Sequence, residues 1–289
     1  MILAGLVLLA VGALDLLRQL PLPWARAVAI STAGVALCVV GGLADALPPA
    51  LVAVVLAAGW MWLMPRGAPA RAGVWPALAV FFVAGVAVAA IPARAAAGLI
   101  GDVWSLASPV GEVSFDQAVL VAGGVVFLTE SANVVVRAAL GADEVSPRRI
   151  APARRSSAQG VGDRPSDAPP AEGRAAGDAP DPSDEVSAQE ASVQDESDAV
   201  VVPLGRPPAL KGGRLIGPLE RILVLALTLA AAYALLAAAL AAKGIVRFPE
   251  ISRDDGGDRA EYFLVGSLVS WVLALGVAVL VWWTFAVGS

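Results

Sequence analysis

The sequence contains no histidine, and its one cysteine is Cys38. Without histidine the chain cannot form a Ser–His or Cys–His catalytic pair, and one cysteine allows neither an intrachain disulfide nor a Cys/His zinc site. Charged residues make up 16% of the chain, against about 25% in soluble domains. The clustered basic surface that nucleic-acid binding requires is missing as well. We therefore expect no metal, cofactor or nucleic-acid partner.

Apolar residues are abundant, at 58% of the chain, with a mean hydropathy of +0.75. Since about 20 apolar residues are needed to cross a bilayer, the sequence predicts an all-α, polytopic membrane bundle of about seven spans. The predicted spans are 1–17, 27–44, 48–64, 73–91, 117–136, 219–242 and 261–285. The first is short, carries Asp15 near its end, and is read as a retained span. A short interfacial helix or a loop is expected within 93–107.

A long polar segment divides the spans into two groups. Residues 141–213 contain thirteen acidic and eight basic residues, and 156–199 contain no Leu, Ile, Met or aromatic residue. Such a segment cannot bury enough apolar surface to offset its ordering entropy. The sequence thus predicts an N-terminal membrane domain at 1–140, a disordered acidic linker at 141–213, and a C-terminal transmembrane hairpin at 214–289.

Basic residues near the span ends predict the orientation. Lys and Arg concentrate after the first span, after the third, and at both ends of the linker, which indicates an outside N-terminus with a cytoplasmic linker and C-terminus. The basic residues between the last two spans disagree with this orientation. Four arginines in the first part of the linker, close to the end of the fifth span, could also contact anionic lipid headgroups; they are Arg148, Arg149, Arg154 and Arg155.

Polar residues within the fifth span suggest a functional or structural site. Glu130, Asn133 and Arg137 share a helical face, and Gly123 on the same stripe could admit a neighbouring backbone. Arg221, at the start of the sixth span, is the predicted partner of Glu130, and Glu220 could then meet Arg137. Either a proton-responsive polar site or an interhelical clamp would explain the cluster, and the clamp is favoured.

The last two spans predict a tight hairpin. Twenty-one uncharged residues separate Arg221 from Lys243, about 33 Å on a continuous helix. Lys243 is therefore expected at the opposite, outer interface. It belongs to an outer charged motif with Arg247, Glu250 and Glu261, in which Glu261 is expected to cap the last helix. Small residues recur every four positions in both spans, a spacing that allows close helix contact in lipid.

Three C-terminal segments carry a resemblance to a family. They are Gly213-Arg-Leu-Ile-Gly-Pro-Leu-Glu-Arg221, Ala241-Ala-Lys-Gly-Ile-Val-Arg-Phe248 and Ala260-Glu-Tyr-Phe-Leu-Val-Gly-Ser267. Together they resemble the C-terminal hairpin of a group of bacterial inner-membrane proteins without an assigned reaction. The resemblance implies a bacterial plasma-membrane location. An acidic, histidine-containing motif found near the N-terminus of some relatives is absent here.

Three classes of function remain open from the sequence. A non-enzymatic scaffold or regulatory subunit, bound to a membrane protein or to a second copy, fits the small-residue helices and the long tether. A small-solute or ion transporter would use the polar site around Glu130, although no inverted repeat is visible. An enzyme acting on a lipid-linked substrate, with Glu130 or Glu250 as its base, is the least favoured. A transporter predicts a hydrated Glu130, whereas a scaffold predicts a dry and paired one.

Overall fold

The computed structural model describes residues 1–65, 73–90, 94, 97–108, 111–141, 213–251 and 258–288. All of them belong to one compact unit formed by residues 1–146 and 210–289. The predicted N-terminal and C-terminal membrane segments therefore pack into the same unit. The predicted linker lies outside the described residues, apart from the glycines at its two ends.

Four apolar helices make up the first part of this unit: α1 (Ile2–Leu17), α2 (Pro23–Leu43), α3 (Leu47–Leu63) and α4 (Trp75–Ala90). Proline stands in the first turn of α2 and of α3, where an amide would have no partner within the helix. These helices lie where the first four spans were predicted.

A connecting segment leads from α4 to the next long helices. It contains α5 (Gly98–Val103) and an antiparallel pair of strands, β1 (Ala107–Ser108) and β2 (Gly111–Glu112). Helix α6 (Phe115–Thr129) begins with a capping box, and α7 (Ser131–Ala139) follows it with a bend of 49°. The helical part of 93–107 agrees with the expected short helix, but the fifth span is a bent pair of helices.

The chain resumes with α8 (Gly213–Leu229), α9 (Tyr233–Ile251) and α10 (Asp258–Gly288). Only α2 and the Phe263–Ala286 part of α10 are long and apolar enough to cross a membrane alone, among the described residues; α6 with α7 would be a third candidate if the bent pair is one span. Seven spans are therefore not supported. Helices α1, α3 and α4 have 16 or 17 residues, fewer than the roughly 20 required, and the predicted sixth span is interrupted.

Helix α1 is the centre of the unit, since it packs against α2, α3, α4, α6 and α7. Its contact with α6 is made by glycines. A Cβ added to Gly5 would lie 2.7 Å from Leu120 N, and one added to Gly123 would lie 2.4 Å from Gly5 O. The two backbones thus touch, which confirms that Gly123 admits a neighbouring backbone.

The contacts also define the two ends of the bundle. Gly5 meets Leu120 and Gly12 meets Phe127, so α1 and α6 run in the same direction. Helix α10 runs oppositely to α6, because a Cβ on Gly266 would lie 3.5 Å from Leu140 Cδ1 at the end of α7, while the Gln117 amide nitrogen donates to Thr284 O at 3.3 Å. We call these the Gly141 end and the Gln117 end.

The predicted sixth span folds back on itself. Residues 230–232 separate α8 from α9, and Ala231 has a φ of 52°. The Ala231 amide donates to Thr228 O at 3.1 Å and the Ala232 amide to Leu227 O at 2.9 Å, the two hydrogen bonds of a Schellman motif. As a result, Lys243 lies 2.6 Å from the Glu220 carboxylate, and the predicted separation of about 33 Å from Arg221 is wrong.

Because of this fold-back, the last turns of α10 lie at the other end of the unit from the one expected with an uninterrupted sixth span. Because α9 returns to the Gly141 end before α10 begins, α10 finishes near Gln117. Gly141 and the last turns of α10 therefore lie at opposite ends of the unit. The predicted C-terminus on the same side as the linker does not fit this arrangement.

Replacement of Ala231 by glycine tests the break in the helix. Glycine adopts positive φ without the Cβ clash that costs other residues about 1–2 kcal/mol, so Ala231→Gly should raise the free energy of unfolding by about 0.5–1 kcal/mol. In a continuous span the same change would lower it by about 1 kcal/mol. Ala238→Gly, an exposed position inside α9, is the control and should destabilise. Chemical unfolding in detergent measures both, and a loss at Ala231 would contradict the break.

Candidate functional site: a buried polar layer

Arg221 is the most enclosed cation among the described residues, with 3% of its surface exposed. Its Nε donates to Ser270 Oγ at 2.9 Å and its Nη1 to Leu128 O at 2.5 Å, while Nη2 donates to Asn133 Oδ1. Leu128 O is free to accept because α6 ends one residue later and leaves its last carbonyls without intrahelical partners. The guanidinium therefore caps α6, at the negative end of the helix dipole.

Glu130 lies at the bend between α6 and α7. It is 7% exposed, and its Oε2 accepts a hydrogen bond of 3.3 Å from Asn133 Nδ2. The same amide nitrogen donates to Thr129 O at 3.1 Å. Glu130 is also an electrostatic neighbour of Arg221. The structure thus brings Glu130, Asn133 and Arg221 together, with Asn133 hydrogen-bonded to both charged side chains, while the direct pairing of Glu130 with Arg221 stays a prediction.

Glu220 has partners other than the predicted Arg137. Its carboxylate accepts from Lys243 Nζ at 2.6 and 2.7 Å and from Trp271 Nε1 at 2.8 Å. Lys243 also lies 5.5 Å from the Phe263 ring centroid and 5.4 Å from that of Trp271, distances at which a cation is attracted to an aromatic face. Arg137 is exposed.

The predicted outer motif is divided by this contact. Lys243 belongs to the inner cluster around Glu220, so its assignment to the opposite interface is wrong. Glu261 is exposed at the start of α10. The side chains of Arg247 and Glu250 lie outside the described residues, and so do the four arginines predicted to contact anionic lipid.

Asp15 forms a further buried cluster that was not predicted from the sequence. Its side chain has no exposed surface. It accepts hydrogen bonds from Trp60 Nε1 at 2.9 Å, Ser131 Oγ at 2.7 Å and Arg18 Nη1 at 3.0 Å. Arg18 Nη1 also donates to Met64 O at 3.1 Å. A carboxylate inside a predicted span was the available signal, since such residues usually face a partner.

Residues that are adjacent in the sequence link these three clusters. Ser131, which contacts Asp15, follows Glu130, and Arg221 follows Glu220. We call the whole set the polar layer; it links α1, α3, α6, α7, α8, α9 and α10 near the Gly141 end, and consists of Asp15, Arg18, Trp60, Glu130, Ser131, Asn133, Glu220, Arg221, Lys243, Ser270 and Trp271. Its three carboxylates are matched in number by three cations, and two of these cations form direct ion pairs, so the charges are compensated within the protein.

A smaller cluster stands at the Gln117 end. Arg94 Nη2 pairs with Asp116 Oδ1 at 2.5 Å, and its Nη1 donates to Ala44 O at 2.6 Å, where α2 ends. Arg94, Asp116 and Trp104 also line an open cavity of about 460 Å³. The side chains hold the start of α6 to the end of α2.

The described part of the chain offers no metal site, because it contains no group of three or more His, Cys, Asp or Glu side chains close enough to share an ion. In the polar layer, carboxylates accept hydrogen bonds from protein donors. This arrangement favours fixing helices in place over binding and releasing a ligand.

Comparison with known proteins finds no match: no family model, no curated protein and no solved structure matches this chain. The resemblance of the C-terminal segments to a bacterial inner-membrane family therefore stays a prediction.

Proposed function

We propose that this protein is a non-enzymatic scaffold or regulatory subunit of a bacterial plasma membrane, with a membrane protein or a second copy as its partner. The observation that supports this most is the state of Glu130. A scaffold requires it dry and paired, and it is 7% exposed, hydrogen-bonded to Asn133 and beside Arg221. The polar layer would then set the geometry of the helices on which a partner docks.

One feature favours a transporter as the second candidate. Glu130 lies at the break between α6 and α7, and a second break separates α8 from α9. Discontinuous helices with polar groups at the break form the substrate and ion sites of many secondary transporters. In such a protein Glu130 would have to become hydrated during the cycle.

The substitution Glu130→Gln distinguishes these candidates. In a scaffold it should lower the free energy of unfolding by about 2 kcal/mol, because it leaves the buried Arg221 charge less compensated. The measurement is thermal and chemical unfolding in detergent. Glu112→Gln, at an exposed position in β2, is the control and should stay within about 0.5 kcal/mol of the parent. An unchanged or raised stability of Glu130→Gln would support the transporter.

The proposed topology follows from the fold-back. We place the Gly141 end in the cytoplasm, since Arg18, Arg26, Arg137 and Lys243 all lie there, as the positive-inside rule requires. The N-terminal end of α1 and the last turns of α10 would then be outside. This assignment removes the disagreement between the basic residues that follow α9 and the rest of the sequence.

Reporter fusions test this topology. Alkaline phosphatase, which is active only outside the cytoplasm, should be active when fused after Ser289 and inactive when inserted at Gly160. Green fluorescent protein at the same two positions should give the reverse pattern. An active phosphatase at Gly160, or an inactive one after Ser289, would contradict the assignment.

A further inference from the structure

A groove between α1, α2 and α3 has no polar side chain in its lining. Its volume is about 430 Å³, and the residues around it are Leu, Ile, Val, Met, Ala and Gly. Gly34 on α2 contributes to the opening, since a Cβ added there would meet no atom within 4 Å. The groove is therefore open space and not a seam of packed side chains.

The position of α2 exposes this groove to hydrocarbon. Helix α2 is long and apolar enough to cross a membrane, and Gly41 is its one buried residue. The groove follows α2 from Ile30 to Val40, about 15 Å along the helix axis. This length is half of a hydrocarbon layer about 30 Å thick, which is the depth of one leaflet and so of one acyl chain.

A cation stands on α2 about one helical turn beyond Ile30, the lining residue at one end of the groove. Arg26 lies four residues before Ile30 and shares its helical face. Its Nε is buried without a hydrogen-bond partner among the described residues, and a buried donor of this kind requires an acceptor. Arg18, at the same end, already donates to Asp15 and to Met64 O. Of these two arginines, Arg26 is therefore the one whose Nε still needs a hydrogen-bond acceptor.

We propose that the groove binds one acyl chain of an anionic phospholipid, whose headgroup phosphate pairs with Arg26. An apolar channel of one-leaflet depth with a cationic mouth matches the two parts of such a lipid, whereas a protein helix would match only the apolar part. The headgroup part of the site, at Arg26, lies at the Gly141 end, opposite to the Arg94 cavity. It is independent of the function proposed above.

Native mass spectrometry of the delipidated full chain, titrated with phosphatidylglycerol or phosphatidylcholine, tests the site. Gly34→Leu fills the groove and should weaken phosphatidylglycerol binding at least tenfold. The matched control is Gly59→Leu, an exposed α3 position where a Cβ also meets nothing within 4 Å; it should bind like the parent. Arg26→Gln should weaken phosphatidylglycerol binding about tenfold, the loss of one charge-assisted hydrogen bond, and should abolish the preference over phosphatidylcholine.

Further arms separate the sources of binding. Glycerol 3-phosphate, which has the headgroup charge without a chain, should not bind measurably. If Gly34→Leu unfolds, Ala36→Leu, which also fills the groove lining, replaces it. Equal phosphatidylglycerol affinity of Gly34→Leu and Gly59→Leu would overturn the proposal. So would a protein dimer that forms without lipid and is lost in Gly34→Leu, because the groove would then hold a second copy.

Discussion

Replacement of Gly123 by alanine is expected to lower the free energy of unfolding by about 3 kcal/mol, the upper part of the usual range for overpacking. The added Cβ would lie 2.4 Å from Gly5 O and 2.9 Å from Leu9 N. Both atoms are backbone, so no side chain can rotate to make room. The central helix α1 would have to move away from α6, which would also disturb its contacts with α2, α3 and α4.

The control is Gly85→Ala in α4, where a Cβ meets nothing within 4 Å. Alanine has the higher helix propensity, so this change should raise the free energy of unfolding by up to about 1 kcal/mol. Thermal unfolding in detergent compares the two substitutions. If Gly123→Ala is as stable as Gly85→Ala, then α1 and α6 do not touch through their backbones.

Much of the N-terminal helix pattern could be predicted from the sequence. Hydrophobic runs of 16 to 21 residues separated by proline and charged residues indicate helices regardless of how they pack. The position of Gly123 on the Glu130 stripe also indicated a close helix contact. Asp15 gave an equally clear signal, but its partners Trp60 and Ser131 are distant in the chain, and periodicity within one helix carries no information about them.

The fold-back of α8 and α9 could not be predicted from the local sequence. Ala230, Ala231 and Ala232 are strong helix formers, and neither glycine nor proline marks the turn. Alanine at positive φ is unfavourable in isolation. The turn is stabilised instead by tertiary contacts, above all the pairing of Lys243 with Glu220, which a continuous helix would keep about 35 Å apart.

The candidate site could be predicted only in part, because some of its contacts depend on the direction of α9. Glu130 and Asn133 are close on one helix, and a buried Arg221 needs an acid nearby, so their meeting follows from short-range periodicity and charge. The pairing of Glu220 depends on the direction of α9, which was predicted wrongly. Arg137 was therefore assigned to Glu220, whereas in the structure the Arg137 side chain is exposed.

Exclusion of water from the polar layer is expected to slow thiol labelling at Ser131 by about a hundredfold or more. Ser131 has no exposed surface and donates to Asp15 and to Val11 O. A cysteine there would react only through local opening, and a hundredfold protection corresponds to an opening free energy of about 2.8 kcal/mol. Cys38→Ser removes the one native thiol, so Ser131→Cys can be labelled alone.

The most direct test of the central claim, that the polar layer is dry and structural, is the rate at which a charged methanethiosulfonate reagent modifies Ser131→Cys in the Cys38→Ser background. Glu112→Cys in the same background, at an exposed position in β2, supplies the reference rate, and thermal unfolding confirms that both variants are folded. If the polar layer is dry, Ser131→Cys should react at least about a hundred times more slowly than Glu112→Cys and become fully reactive after denaturation. Comparable rates in the folded protein would show a water path to Asp15 and Glu130, and would contradict the scaffold.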